Sequence, residues 1–262
     1  MPFEQKPRIK FNKNPLIEVI CKFNFISPID DMDSADLLVK LHDSVKKKLP
    51  LFKRGKSLTV ELNTDSQAIG KSEGIVYEFS SLDESVQVMV ESDSITCATS
   101  NYQSKEDFFD YFFCVYNSLK QLYSVNPISK VGLRYKDVIQ RSVLNDNLTD
   151  VGWHELIKEP LVAVFADEDL SASILGIQSG FTIKLESIGK NARMNANYGI
   201  VSHAETKEQC FLIDSDFYID GVFDYDTAEK FLYDANAKAR DFFQWCIKPK
   251  LYKALDPEAI CS

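Results

Sequence analysis

Residues 171–187 read SASILGIQSGFTIKLES, residues 192–202 read ARMNANYGIVS, and residues 210–221 read CFLIDSDFYIDG. The three runs are rich in Ile, Val, Phe and Tyr and succeed one another as antiparallel strands. A long helix follows, from about Thr227 to Cys246. Its apolar residues Ala228, Phe231, Leu232, Ala235, Ala239, Phe242, Phe243 and Cys246 recur at helical spacing. Pro249 interrupts or kinks it. Strands that come in a run before one long helix, rather than alternating with helices, define an α+β fold of antiparallel sheets packed on long helices.

The first half repeats this logic. Pro15 to Phe25 (PLIEVICKFNF) reads as a strand with one buried face. Asp33-Ser34 opens a helix with Leu37, Leu38, Leu41 and Val45 at helical spacing, and Pro50 ends it. SLTVELN is a second strand. GIVYEFSSLD and ESVQVMVESD form a hairpin turning near Asp83-Glu84, and SITCATSNY adds another strand. Ser104 to Asp107 has the spacing of a capping box. It opens a helix whose Phe108, Phe109, Phe112, Val115, Tyr116, Leu119 and Tyr123 cover more than one face, so a deeply buried or doubly packed helix is expected. Asn126-Pro127 stops it, and SKVGLRYKDVIQ is a strand. RSVLNDNLTDVGWHELIKEP is the segment weakest in regular structure, with a short helix at Trp153 to Ile157. The midpoint is placed there, giving β/α halves 1–145 and 146–262 of one compact unit. ESDSITCATSNYQSKEDF slides without a gap over DSDFYIDGVFDYDTAEKF, bringing Ser92, Asp93, Tyr102, Glu106 and Phe108 onto Ser215, Asp216, Tyr225, Glu229 and Phe231. Two related strand-plus-helix halves, or the common needs of any capped strand-to-helix junction, account for that match.

The composition is that of an ordinary globular chain, 45% hydrophobic and 26% charged. A net charge of -9 disfavours non-specific nucleic-acid binding. The one dense basic run, Lys46, Lys47, Lys48, Lys53, Arg54 and Lys56, is read as a helix C-terminus and the loop after it. Six cysteines without a C-x-x-C pair suit reduced, mostly buried thiols in a cytoplasmic protein, with no disulfide and no structural zinc. MPFEQKPRIKFNKN has no apolar core, so no signal peptide is expected, and no apolar run reaches the length of a membrane span.

Catalytic motifs are missing. The three histidines, His42, His154 and His203, have no metal-ligand spacing, and His42 is read as a surface residue. There is no G-x-S-x-G, no phosphate loop and no G-x-G-x-x-G, hence no cofactor is expected. Asp214 and Asp216 lie two apart on a strand and share one face. Such a pair suits Mg²⁺ ligation, or an ion pair with a basic residue on the neighbouring strand. Asp224 or Asp226 is placed to cap the following helix. Arg134, between Leu133 and Tyr135, is expected to find Asp214 or Asp216, since an unpaired guanidinium among apolar residues is costly.

Three of these segments also carry a resemblance. Asn14-Pro15-Leu16-Ile17-Glu18-Val19, Gly132-Leu133-Arg134-Tyr135-Lys136-Asp137-Val138-Ile139 and Leu212-Ile213-Asp214-Ser215-Asp216 resemble a sporadically distributed family of uncharacterised bacterial and archaeal proteins. Order and length also fit. The family's middle segment usually reads G-L-R-Y-I-N, and here Lys136 and Asp137 stand in the last two places. The resemblance implies a bacterial protein of a patchy, defence-associated distribution, and it carries no assigned activity.

The function expected is a non-catalytic binding or interaction protein, an accessory or regulatory subunit with a protein partner or a second copy of itself. Two other readings stand beside it. One is a metal-dependent phosphoryl-transfer or nuclease-type enzyme using Asp214 and Asp216. The other is a small-ligand binder with an apolar cavity between sheet and helix.

Overall fold

Burial along Ile128–Ile139 alternates almost residue by residue, as expected of a strand with one face in a core. The structure is a computed structural model that describes residues 3–63, 68–125, 127–144, 148–167, 169 and 173–259. Its strands are β1 (Ile9–Phe11), β2 (Leu16–Phe25), β3 (Leu51–Asn63), β4 (Ala68–Ser80), β5 (Val86–Glu91), β6 (Ser94–Thr99), β7 (Ile128–Ile139), β8 (Gln178–Lys184), β9 (Arg193–Ser202), β10 (Gln209–Phe223) and β11 (Pro257–Ala259). The α-helices are α1 (Ala35–Val45), α2 (Lys105–Leu122), α3 (Trp153–Leu156), α4 (Glu159–Val162), α5 (Tyr225–Cys246) and α6 (Pro249–Ala254). Strands hydrogen-bond in the order β3-β4-β5-β6-β2-β7-β10-β9-β8, with β1 and β11 forming a separate antiparallel pair. The fold is therefore α+β, with an antiparallel sheet and long helices.

Each half of the chain follows one topological rule. A first strand (β2 or β7) is followed by a helical connection and then by a meander. The last strand of that meander (β6 or β10) becomes the first strand's neighbour and leads into the long helix (α2 or α5). The gap-free slide sets Ser104 on Thr227, whereas the caps are Ser104 and Asp224: Ser104 Oγ accepts from Asp107 N–H at 3.0 Å, and Asp224 Oδ1 from Thr227 N–H at 2.9 Å. The halves thus match in topology, with the junction shorter in the second.

The chain forms two compact units, one of Met1–Glu18, Leu133–Ile219 and Glu229–Ser262, the other of Val19–Gly132 and Asp220–Ala228. In the Val19–Gly132 unit, β2 sets Cys21 opposite Cys97 and Phe23 opposite Ile95 of β6. Phe112 and Tyr116 of α2 meet the Phe23 ring edge-on at 4.8 and 5.3 Å. Tyr116 stacks on Tyr225 at 5.6 Å, Phe113 meets Tyr225 at 5.5 Å, and α1 packs on α2. The wide apolar circumference of α2 is thus covered on several sides within its own unit. The β4–β5 turn falls where expected, with Glu84 in the left-handed region (φ 54).

Two readings are corrected here. Lys53, Arg54 and Lys56 lie on β3, in register with Glu78, Tyr77 and Ile75, and not in a loop. Lys53 pairs with Glu84 at 2.8 Å, and Arg54 lies 3.5 Å from Asp33. His42 is half-buried rather than a surface residue: it stacks on Phe52 at 5.4 Å and its Nε2 lies 3.2 Å from the Pro50 carbonyl. The aromatic floor supplied by β3 and β4 draws the ring in.

In the Leu133–Ile219 unit, Phe211, Ile213 and Phe217 of β10 and Met194, Ala196 and Ile200 of β9 form one buried face. Phe231, Leu232, Ala235, Ala239, Phe242 and Cys246 of α5 are buried too. Phe242 joins Phe3 at 5.1 Å and Phe181 of β8 at 6.3 Å. Helix α5 begins two residues before the expected start because Asp224 is the cap. Pro249 opens α6 at its first turn, the position where a missing N–H costs nothing. The expected strand 171–187 is confined to Gln178–Lys184, and residues 171 and 172 lie outside the described residues. Cys21, Cys97, Cys114, Cys210 and Cys246 are free thiols, and Cys261 lies outside the described residues. Among the described residues, no helix is long and apolar enough to cross a membrane.

Candidate functional site

On β7, Leu133, Tyr135, Asp137 and Ile139 face the core, while Arg134, Lys136 and Val138 take the other face and are half-buried. Because β10 is the hydrogen-bonded neighbour, Arg134 can reach its carboxylates. Arg134 Nε donates to Asp214 Oδ1 at 2.7 Å and Nη2 to Oδ2 at 2.5 Å, a bidentate fork. The Asp214 side chain is only 8% exposed and that of Arg134 41%, so the carboxylate is the desolvated member. The hydrogen bonds to Asp214 hold the guanidinium above its ordinary value, against a smaller desolvation that lowers it. Asp216 adds a further attraction for Arg134. Of the two carboxylates offered to Arg134, Asp214 is the direct partner and Asp216 acts at longer range.

A second cross-strand pair adjoins it. Lys136 Nζ donates to Glu18 Oε2 of β2 at 2.5 Å, and Val138 N–H donates to the Pro15 carbonyl at 2.8 Å. Residues 14–18, 133–139 and 212–216, the greater part of three segments singled out in the sequence, all lie in this unit. Beyond β10, Asp214 faces Asn197 and Asp216 faces Asn195 of β9, and Asn197 faces Gly180 of β8. A Cβ on Gly180 would lie 2.7 Å from Asn197 Oδ1, so the glycine leaves room for that amide. An open pocket of about 410 Å³ lies beside it, with Gln178, Asn197, Gly199, Val201 and Leu212 in its wall.

The group that the motif reading passes over is Asp137. It is buried among core side chains, 6% exposed. Burial, with repulsion from Asp214, pushes its carboxyl up to about 8, so it is protonated at neutral pH. The Cys246 thiol of α5 is likewise pushed up, by burial first and by Asp137 second. A signal was present in the sequence: Leu133, Tyr135, Asp137 and Ile139 keep a period of two, and an acid at an apolar register position has to go inside.

Chemically, the arrangement is a fixed lattice of ion pairs and amides on rigid strands. Both Asp214 oxygens are engaged by Arg134, which occupies the ligand positions a cation would need. Among the described residues, no group of three or more His, Cys, Asp or Glu side chains is placed to hold a metal ion. Compared with known proteins, the chain matches no family model and has no significant match among curated proteins.

Proposed function

We propose that the chain is a non-catalytic binding protein that presents the polar face of β7, β10, β9 and β8 to a protein partner. The observation that carries this reading is the bidentate Arg134–Asp214 fork. It spends both carboxylate oxygens on holding a guanidinium in place, as a recognition surface requires and a cation site or general base does not. Around the fork, Asn197, Arg193, Thr182 and Lys184 are exposed on the same strands and offer donors and acceptors outward. A patch with Arg at its centre and amides around it suits polar, hydrogen-bonded recognition of another chain.

The test uses Asn197→Arg and Arg193→Glu, both at exposed positions, in the full chain expressed in its source cells. Quantitative co-purification should lose one specific partner relative to wild type while the circular dichroism spectrum and Tm stay unchanged. Retention of every partner overturns the reading. So does stoichiometric Mg²⁺ binding by calorimetry that Asp214→Asn abolishes, which would move the function to metal-dependent chemistry.

A further inference from the structure

The strand at the end of the sheet order in this unit, β8, carries an unusual edge. Ile200 N–H donates to the Ile177 carbonyl at 2.9 Å. The alternation of an antiparallel ladder then turns the backbone groups of Ser179, Phe181 and Ile183 toward β9, and those of Gln178, Gly180, Thr182 and Lys184 outward. All four outward residues are exposed, and among the described residues their outward N–H and C=O groups have no partner. Edges are normally blunted by charge, proline, bulges or a cover. The strand at the other end of the order, β3, shows that device: Lys53, Arg54 and Lys56 stand exposed along it. β8 has no proline, a glycine near its middle and a single charge, Lys184, at its end.

We infer that β8 pairs edge to edge with β8 of a second copy of this chain, antiparallel and centred on Phe181. The occupant follows from the strand's complementarity to itself. A two-fold axis at Phe181 sets Gly180 opposite the partner's Thr182 and Gln178 opposite the partner's Lys184. Those are the outward residues, so each pair closes two backbone hydrogen bonds. Phe181 then meets the partner's Phe181 at the closely spaced, non-hydrogen-bonded position. Its ring is already half-buried against Tyr198 at 6.1 Å and Phe242 at 6.3 Å, and the second ring covers the rest. The only charge falls opposite an amide and not its own copy, so no like-charge pair opposes the register. The contact is isologous and closes at two copies. It uses the strand edge, and does not depend on what binds the polar face.

Sedimentation equilibrium of the full chain at micromolar to submillimolar concentration, with hydrogen exchange on the same samples, tests this. A monomer–dimer equilibrium is expected, with the Gly180 and Thr182 amides exchanging more slowly as the dimer fills. Gln178→Lys sets two like-charge pairs across the axis and should weaken the dimer about fivefold, while Gln178→Glu should tighten it by about as much. Gln178→Lys with Lys184→Glu should restore it. The variants change exposed positions, so folding is not at stake. A monomer throughout the range overturns the inference. So does a dimer that ignores both Gln178 variants and leaves the two amides unprotected.

Discussion

The seam between first and last strand is built twice in this chain, and the two versions differ in charge. In β2 and β6 the facing residues are Val19 with Thr99, Cys21 with Cys97 and Phe23 with Ile95, all buried and all neutral. Burial pushes both thiols up, so neither ionises. In β7 and β10 the same topological place holds a buried acid on the core face, Asp137, and the Arg134–Asp214 fork on the other. The core face of the first seam thus packs without a charge, and on its other face Lys22 stands opposite the neutral Thr96. Buried ion pairs seldom stabilise more than apolar side chains of the same size. On the function proposed above, the charges of the second seam serve binding and not the fold.

The largest expected break in that comparison is pH. Asp137 holds its proton in the folded chain up to about pH 8, whereas an unfolded aspartate loses it near pH 4. The stability this proton linkage contributes is complete below the unfolded value and is lost as pH rises through the folded one. Between pH 6 and pH 10 the loss is on the order of 3 kcal/mol. Asp137→Asn, followed by thermal melts across that range, should flatten the dependence and leave the variant more stable than wild type at the alkaline end. The titratable groups coupled to this position are Asp214, on the opposite face of the sheet, and the Cys246 thiol of α5. A wild-type Tm that is flat to pH 10 would place Asp137 in contact with solvent.

Next in size is the fork. Arg134→Ala leaves Asp214 buried without its partner. The cost should be about 2 kcal/mol in a denaturant titration, below the figure for fully buried pairs because Arg134 keeps part of its exposure. No comparable loss is expected from a single conservative change in the neutral seam, such as Cys97→Ala, beyond about 1 kcal/mol for a small cavity.

How much of this was legible follows from the range of the forces involved. The Arg134 pairing was readable because a guanidinium between Leu133 and Tyr135 has to find a carboxylate, and only one nearby strand pattern offers two on one face. The capping of α2 by Ser104 was readable because it is local. Asp137 was visible in the alternation yet registered only as a departure from a motif, since its burial depends on what α5 brings over it. The β1–β11 pair was not readable: Ile9–Phe11 and Pro257–Ala259 are too short to show a period, and only tertiary contact joins them. Lys53 and Arg54 resemble loop in the sequence because charge masks the strand pattern at an edge.

The smallest effect compares the two long helices. Ser104→Ala and Asp224→Ala each remove an acceptor for one orphan N–H of the first turn; the first should cost about 1 kcal/mol, and the second should lower stability in the same direction. The Asp224 loss should shrink below pH 4, where its carboxyl, held below the ordinary range by the Thr227 side chain and N–H, takes up a proton. The Ser104 loss should not change with pH. Equal pH behaviour in the two variants would mean that charge plays no part at the second cap.

The claim that the charged seam serves binding is tested most directly by making it resemble the neutral one. Arg134→Met with Asp214→Leu replaces the fork by apolar side chains of similar volume. Denaturant titration of this double variant should give a stability within about 1 kcal/mol of wild type, recovering what Arg134→Ala loses. Co-purification should meanwhile lose the partner that Asn197→Arg loses. A double variant as unstable as Arg134→Ala, or one that keeps the partner, would show that the fork is there to hold the strands together.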